Sequence, residues 1–171
     1  MKVSAIIASA FCVAGLPLGV LACSCPSDDS PLAEQVKAAV RDSDVVAEVE
    51  IISTSVVMVS KEVSGKRWSW TDKQYHDFVE TVSEPKLLAQ ISALRYWKGA
   101  HHGLVAVQTE AEWQACGLGF KAGQRLLLYA RTVEGDEVME TDSCTRTKLL
   151  EGAEPEIKVL EGVRKDKESQ R

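Results

Sequence analysis

Val45-Val46-Ala47-Glu48-Val49-Glu50-Ile51-Ile52-Ser53-Thr54-Ser55-Val56-Val57-Met58-Val59 is the stretch on which the fold turns. It is dense in Val and Ile with polar residues interleaved, which predicts one long strand over 45–59. Just before it, Asp42-Ser43-Asp44 breaks a different pattern. Leu32, Val36, Ala39 and Val40 recur at helical spacing, with Glu34 and Lys37 on the other side, predicting a helix from Pro31 to Arg41. Pro31 suits a first helical turn, and Ser27-Asp28-Asp29-Ser30 supplies turn and cap chemistry ahead of it.

Downstream, strands are expected at 86–97, 104–109, 124–131 and 137–141, separated by Lys98-Gly99 with His101-His102-Gly103, by a loop at 110–119, and by Gly135-Asp136. Residues 60–85 read as an excursion between the first two strands. Trp68 and Trp70 lie on alternate positions there and would face the same side of an extended tip, either packing the loop down or forming a contact surface. Residues 147–162 read as helix with Pro155 as a break or new start, and 163–171 as a charged flexible tail. Five strands with flanking helices predict a mainly β domain over 23–162, a small closed or nearly closed barrel, with an open α+β sheet as the alternative.

The first 22 residues carry a short basic start (Met1, Lys2), an apolar stretch from Val3 to Leu21, and Val20-Leu21-Ala22 before a Cys. They read as a secretory signal peptide cleaved after Ala22, because Gly15, Pro17 and Gly19 interrupt what would otherwise be an anchor. Removal takes Cys12 away and leaves Cys23, Cys25, Cys116 and Cys144 in an exported chain of one domain's length. Four such cysteines imply two disulfides with three connectivities open. A Cys23–Cys25 bridge is disfavoured by geometry, so each is expected to reach one of the distant pair. The formal charge of −5, without a long basic stretch, argues against nucleic acid or anionic membrane as partner, and the absence of Asn removes any N-glycosylation acceptor.

Cys23 at a mature terminus would carry an α-amine, a carbonyl and a thiol on one residue. Lipid attachment at Cys23 is the alternative reading, but it would consume that thiol and strand one of the other three cysteines. No enzyme is expected. Ser24, Ser43 and Ser143 lack a nucleophile motif, and His76, His101 and His102 are the only histidines. His101-His102 with Glu110 or Glu112 lacks the spacing of a metal set and reads as a solvated turn. Cys23-Ser24-Cys25 is not the Cys-X-X-Cys of a redox dithiol.

Cys23-Ser24-Cys25-Pro26, Tyr96-Trp97-Lys98-Gly99, Cys116-Gly117-Leu118-Gly119-Phe120 and Asp142-Ser143-Cys144-Thr145-Arg146-Thr147, in that order, with Asp42-Ser43-Asp44-Val45-Val46, resemble the netrin-like domain family. The likeness is in particular to the N-terminal domain of tissue inhibitors of metalloproteinases and their bacterial relatives. It implies an OB-type five-stranded Greek-key barrel with Cys23 bonded to Cys116 and Cys25 to Cys144. It also implies that the Cys23 amine and carbonyl chelate the catalytic zinc of a metalloproteinase while Ser24 enters the pocket beside the metal. Protease contacts are then expected at Ser24, Cys25, Pro26, Trp68, Trp70, Trp113 and Ala115. No cofactor and no intrinsic metal are expected, and the implied setting is secreted, periplasmic or cell-envelope. The alternative within the resemblance is a non-inhibitory netrin-like protein-binding module of the cell envelope, anchored by lipid at Cys23.

Overall fold

The computed structural model describes residues 23–25, 28–99, 104–133 and 138–169. The leader reading, Pro26, the His101-His102-Gly103 turn and the Gly135-Asp136 turn lie outside the described residues. The elements in order are α1 (Leu32–Asp42), β1 (Val45–Ser69), β2 (Gln74–Lys98), β3 (Leu104–Glu110), a 3₁₀ turn (Trp113–Ala115), β4 (Arg125–Thr132), β5 (Val138–Glu140), β6 (Lys148–Leu149) and α2 (Glu154–Ser169).

The fold is mainly β, and its sheet closes on itself. The strands run β1-β2-β3-β5-β4, and β4 pairs back onto β1 from Val45↔Ala130 to Glu50↔Arg125, completing a ring with β6 outside β4. All contacts around the ring are antiparallel except β3–β5, which is parallel.

Alternation explains how one ring serves two cores. Val45, Ala47, Val49 and Ile51 of β1 and Leu126, Leu128 and Ala130 of β4 join Ile91, Val107, Phe120 and Met139 in one buried cluster. The intervening Val46, Leu127 and Tyr129 belong to a second cluster with Val36 of α1 and Ala153 and Leu160 of α2. The run Leu126–Ala130 is therefore buried on both faces, which is why it reads as a continuous apolar stretch rather than an alternating one.

Residues 60–85 are not a loop excursion. β1 and β2 pair from Val46↔Lys98 out to Ser69↔Gln74, with no register shift beyond Ser53↔Gln90, so these residues form the outer half of a two-stranded arm closed by the turn Trp70–Lys73. Its strength is cross-strand. Lys61 meets Glu84 at 2.6 Å, Arg67 meets Glu80 at 3.0 Å and lies 4.5 Å over the Phe78 ring, and Ser60 bonds Ser83 at 2.9 Å. The arm leaves the ring at a register shift between Ile51 and Ser53 that leaves Ile52 unpaired, as bulges at ring rims commonly do. At its base, Lys86 is buried between Glu110 and Glu140. Burial alone would lower its pKa, but the two carboxylates outweigh that and hold it raised.

Two further differences concern the C-terminal region. The helix expected from 147 starts only at Glu154, with Pro155 in its first turn, because Lys148–Leu149 pair with β4 instead. The helical backbone then runs on to Ser169, within the segment read as a charged tail.

Tyr96-Trp97-Lys98-Gly99 joins the layers. Tyr96 packs on the ring core, Trp97 Nε1 donates to Glu161 of α2 at 2.8 Å, and Lys98 Nζ donates to the carbonyls of Val40 and Arg41 at 2.8 and 3.1 Å, satisfying the end of α1. Gly99 has φ +68°, and a Cβ there would sit 2.7 Å from the Asp44 carbonyl oxygen. Gly99→Ala is accordingly expected to destabilise the fold by about 1–3 kcal/mol, read as a lowered urea midpoint at constant slope.

Candidate functional site

Three loops converge where Cys23–Cys25 lies. The first follows β3. After the 3₁₀ turn Trp113–Ala115, Cys116 adopts φ +69° and its N–H bonds Trp113 O at 3.2 Å. Gly117 then donates to Glu112 O at 3.0 Å, and a Cβ on it would lie 2.2 Å from Glu110 O, so only glycine permits this backbone approach. Leu118 and Phe120 follow into the ring core, which anchors the loop.

The second loop follows β5. The Asp142 carboxylate accepts from Cys144 N–H at 2.7 Å, and the Asp142 carbonyl accepts from the Thr145 N–H and hydroxyl at 3.2 and 2.8 Å. Beneath it, Thr141 and Thr147 donate their hydroxyls to Tyr129 O at 2.8 and 3.0 Å, and Tyr129 N–H donates to the Thr147 oxygen at 2.9 Å. Ser143 N–H donates to Cys116 O at 2.9 Å, joining the two loops directly.

The third segment is bonded to both. Cys23 is bridged to Cys116 with Cα atoms 5.1 Å apart, and Cys25 to Cys144 with Cα atoms 5.2 Å apart. These two disulfides lie side by side, with Cys23 Sγ 4.0 Å from Cys144 Sγ and 3.5 Å from Ser143 Oγ. Cys23 and Cys116 are half-buried, whereas Ser24, Cys25 and Cys144 are exposed. The result is a short exposed ridge fixed at both cysteines.

The surroundings are polarised. A cavity of about 310 Å³ on one side is lined by Glu110, Ala115, Cys116, Glu140, Thr141 and Asp142. On the other, a groove of about 290 Å³ is lined by Cys25, Ser143, Cys144, Arg146, Thr147 and Lys148. Arg146 and Lys148 reach Glu156, which is buried in the first turn of α2, at 2.6 and 2.5 Å. Burial pushes the Glu156 carboxyl up, but the bonds from Arg146 and Lys148 prevail and hold it below the ordinary glutamate range. Burial, reinforced by the adjacent Glu156 charge, raises the Tyr129 phenol well above its usual value.

Among the described residues, Cys23, Cys116 and Cys144 are the one cysteine, histidine or carboxylate group of three or more compact enough to suggest a metal. Their sulfurs are engaged in disulfides and carry no thiolate charge, so as they stand they are not a ligand set.

Of the expected site residues, the structure brings together Cys23, Ser24 and Cys25 with Cys116, Cys144 and the exposed Trp113 and Ala115 of the first loop. Trp68 and Trp70 lie elsewhere, at the tip of the arm. There Trp68 stacks edge-on with Trp70 and Tyr75 at 6.2 and 5.0 Å, and Trp70 is 85% exposed. The arm passes Ala115 at Lys61, with which it lines a further cavity, and the strand from Lys61 to Trp68 adds roughly 23 Å. Sequence reasoning missed Ser143 as the link between loops and the threonine layer beneath Cys144. The alternation Thr141, Thr145, Thr147 beside Asp142 was the available signal.

Neither the protein-family models nor the curated proteins give a match to this chain. Among the described residues, no helix is long and apolar enough to cross a membrane.

Proposed function

We propose that this chain is an inhibitor of zinc metalloproteinases that acts through a mature terminus at Cys23, by binding and not by turnover. The observation that carries the reading is the bridging of Cys23 to Cys116 beside Cys25–Cys144, which fixes a three-residue ridge with Ser24 exposed between two pinned cysteines. The ring order β1-β2-β3-β5-β4 with its parallel β3–β5 contact supports the OB-type, netrin-like reading of the fold.

The chemistry follows from the terminus. A catalytic zinc keeps an open position. An α-amine with a pKa of roughly 7.7–8.0 is partly neutral at physiological pH and yields its remaining proton to a metal. Amine and carbonyl oxygen of Cys23 then occupy the positions of the activated water, Ser24 enters the adjoining pocket, and Trp113 and Ala115 flank the cleft. Pinning by two bridges leaves little freedom to lose on binding. Trp68 and Trp70 contact the target away from the cleft, since the arm carries them outward.

This reading places the protein outside the cytoplasm after removal of 1–22, where disulfides persist. It also disfavours a lipid anchor, because a thioether at Cys23 would need the sulfur that bridges Cys116. Intact mass of the exported protein is expected to show a free amine and two disulfides; an acylated or lipidated Cys23 would favour a non-inhibitory envelope module instead. The functional test compares the native start with a variant carrying one Ala before Cys23, against a metalloproteinase panel. Extension is expected to weaken inhibition by about 100-fold or more, the equivalent of roughly 2.7 kcal/mol. Equal inhibition by both would remove chelation from the account.

A further inference from the structure

The two disulfides are closer together than separate staples need be. The Sγ atoms of Cys23, Cys116 and Cys144 all lie within 4.8 Å of one another, and the 4.0 Å contact between Cys23 and Cys144 joins members of different bridges. The bridges also differ in exposure. Cys25 and Cys144 are both exposed, with the 290 Å³ groove opening beside them, whereas Cys23 and Cys116 are half-buried. A reductant therefore meets Cys25–Cys144 first.

We propose that the pair forms a redox-sensitive exchange device in which Cys23 passes from Cys116 to Cys144. A dithiol reductant attacks Cys25 Sγ, expelling Cys144 as thiolate. The second thiol of the reductant then closes its own disulfide and releases Cys25 as a thiol. The Cys144 thiolate attacks Cys23 Sγ, the Cys23–Cys116 bond breaks as Cys23–Cys144 forms, and Cys116 departs as a thiolate that takes up a proton. The reductant loses two electrons, and the protein keeps one bridge and gains two thiols. Cys23 is bridged throughout, so its segment stays attached while the loop of Trp113–Gly117 loses its covalent tie. The Ser143 N–H to Cys116 O bond is then the direct link between the two loops. This device operates whether or not the terminus inhibits a protease.

Cys25→Ser protein places the attacking thiol at Cys144 without a reductant. Held at pH 8, then alkylated and digested without reduction, it is expected to yield Cys23–Cys144 peptides beside Cys23–Cys116 peptides, with alkylation divided between Cys116 and Cys144. Cys116→Ser is the converse, in which the free Cys23 is expected to capture Cys144 and release Cys25. Should either variant fail to fold, one equivalent of dithiothreitol on the native protein is expected to trap a one-bridge species linked Cys23–Cys144. Alkylation confined to Cys144 in Cys25→Ser, one-bridge species linked only Cys23–Cys116, or a statistical mixture that includes Cys116–Cys144 would each overturn the proposal.

Discussion

Replacing both Cys23 and Cys116 by Ser is expected to lower the stability of the folded chain by about 4–5 kcal/mol, read by urea denaturation at pH 7. The estimate follows from the loop the bridge closes. Its ends are 93 residues apart, so the open chain gains most of the closure entropy that the bridge removes. Substituting both partners leaves no unpaired thiol to exchange with Cys144, and Cys25–Cys144 remains as the sole tie. Because that second bridge spans 119 residues and its loop interleaves with the first, sharing residues 25–116, the two contributions overlap, and removing all four cysteines should cost less than twice the single loss. An unchanged midpoint in the double variant would mean that the Cys23–Cys116 bridge is absent from the folded protein.

Glu156→Ala is expected to cost about 3–5 kcal/mol, since it leaves the Arg146 and Lys148 charges and the Tyr129 hydroxyl facing a site from which their carboxylate has gone. Glu156 is 3% exposed, so water does not replace it. Arg146 also donates to Gln35 of α1 at 2.7 Å, so the loss reaches from the Cys144 loop through both helices. Glu156→Gln keeps the shape and should cost less than the Ala change. The pH dependence has a definite sign. The Glu156 carboxyl is held below its ordinary value in the fold, so its contribution is complete above the unfolded glutamate pKa of about 4.5. It fades as pH falls through the lower folded value. The gap between native protein and Glu156→Gln should therefore be full at neutral pH and shrink under acid conditions. A gap that stays constant into acid would show that the Glu156 charge contributes nothing to the fold.

The parts legible in the sequence are those whose pattern is set by one chain segment against a core. The first half of β1 alternates Val45, Ala47, Val49 and Ile51 inward, and Leu126–Ala130 is buried on both sides, so each declares itself locally. The motif residues also proved to have plain mechanical roles. Lys98 caps α1, Gly99 and Gly117 allow backbones to touch, and Asp44 accepts from the Thr132 N–H and hydroxyl at 2.8 and 2.9 Å.

The arm was not legible because both faces of a two-stranded ribbon are wet. Its residues answer to cross-strand partners such as Arg67 with Glu80, and no single-segment period reports that pairing. The late start of α2 was hidden for a related reason. Lys148–Leu149 lie in a helix-like pattern, yet pairing with Leu126 and Leu127 and the bond from Leu150 N–H to Arg125 O at 2.9 Å hold them extended. At the site, the cysteines announced themselves, but their side-by-side placement depends on the Ser143–Cys116 contact between loops far apart in sequence.

The central claim is coordination of a target's metal by the Cys23 terminus, and a cobalt-substituted metalloproteinase reports it directly. Titrating such an enzyme, chosen from those the protein inhibits, with the processed chain should change the visible cobalt absorption in step with inhibition. The Ala-extended chain should leave the spectrum unaltered. Inhibition by the native start with no change in the cobalt spectrum would contradict the account.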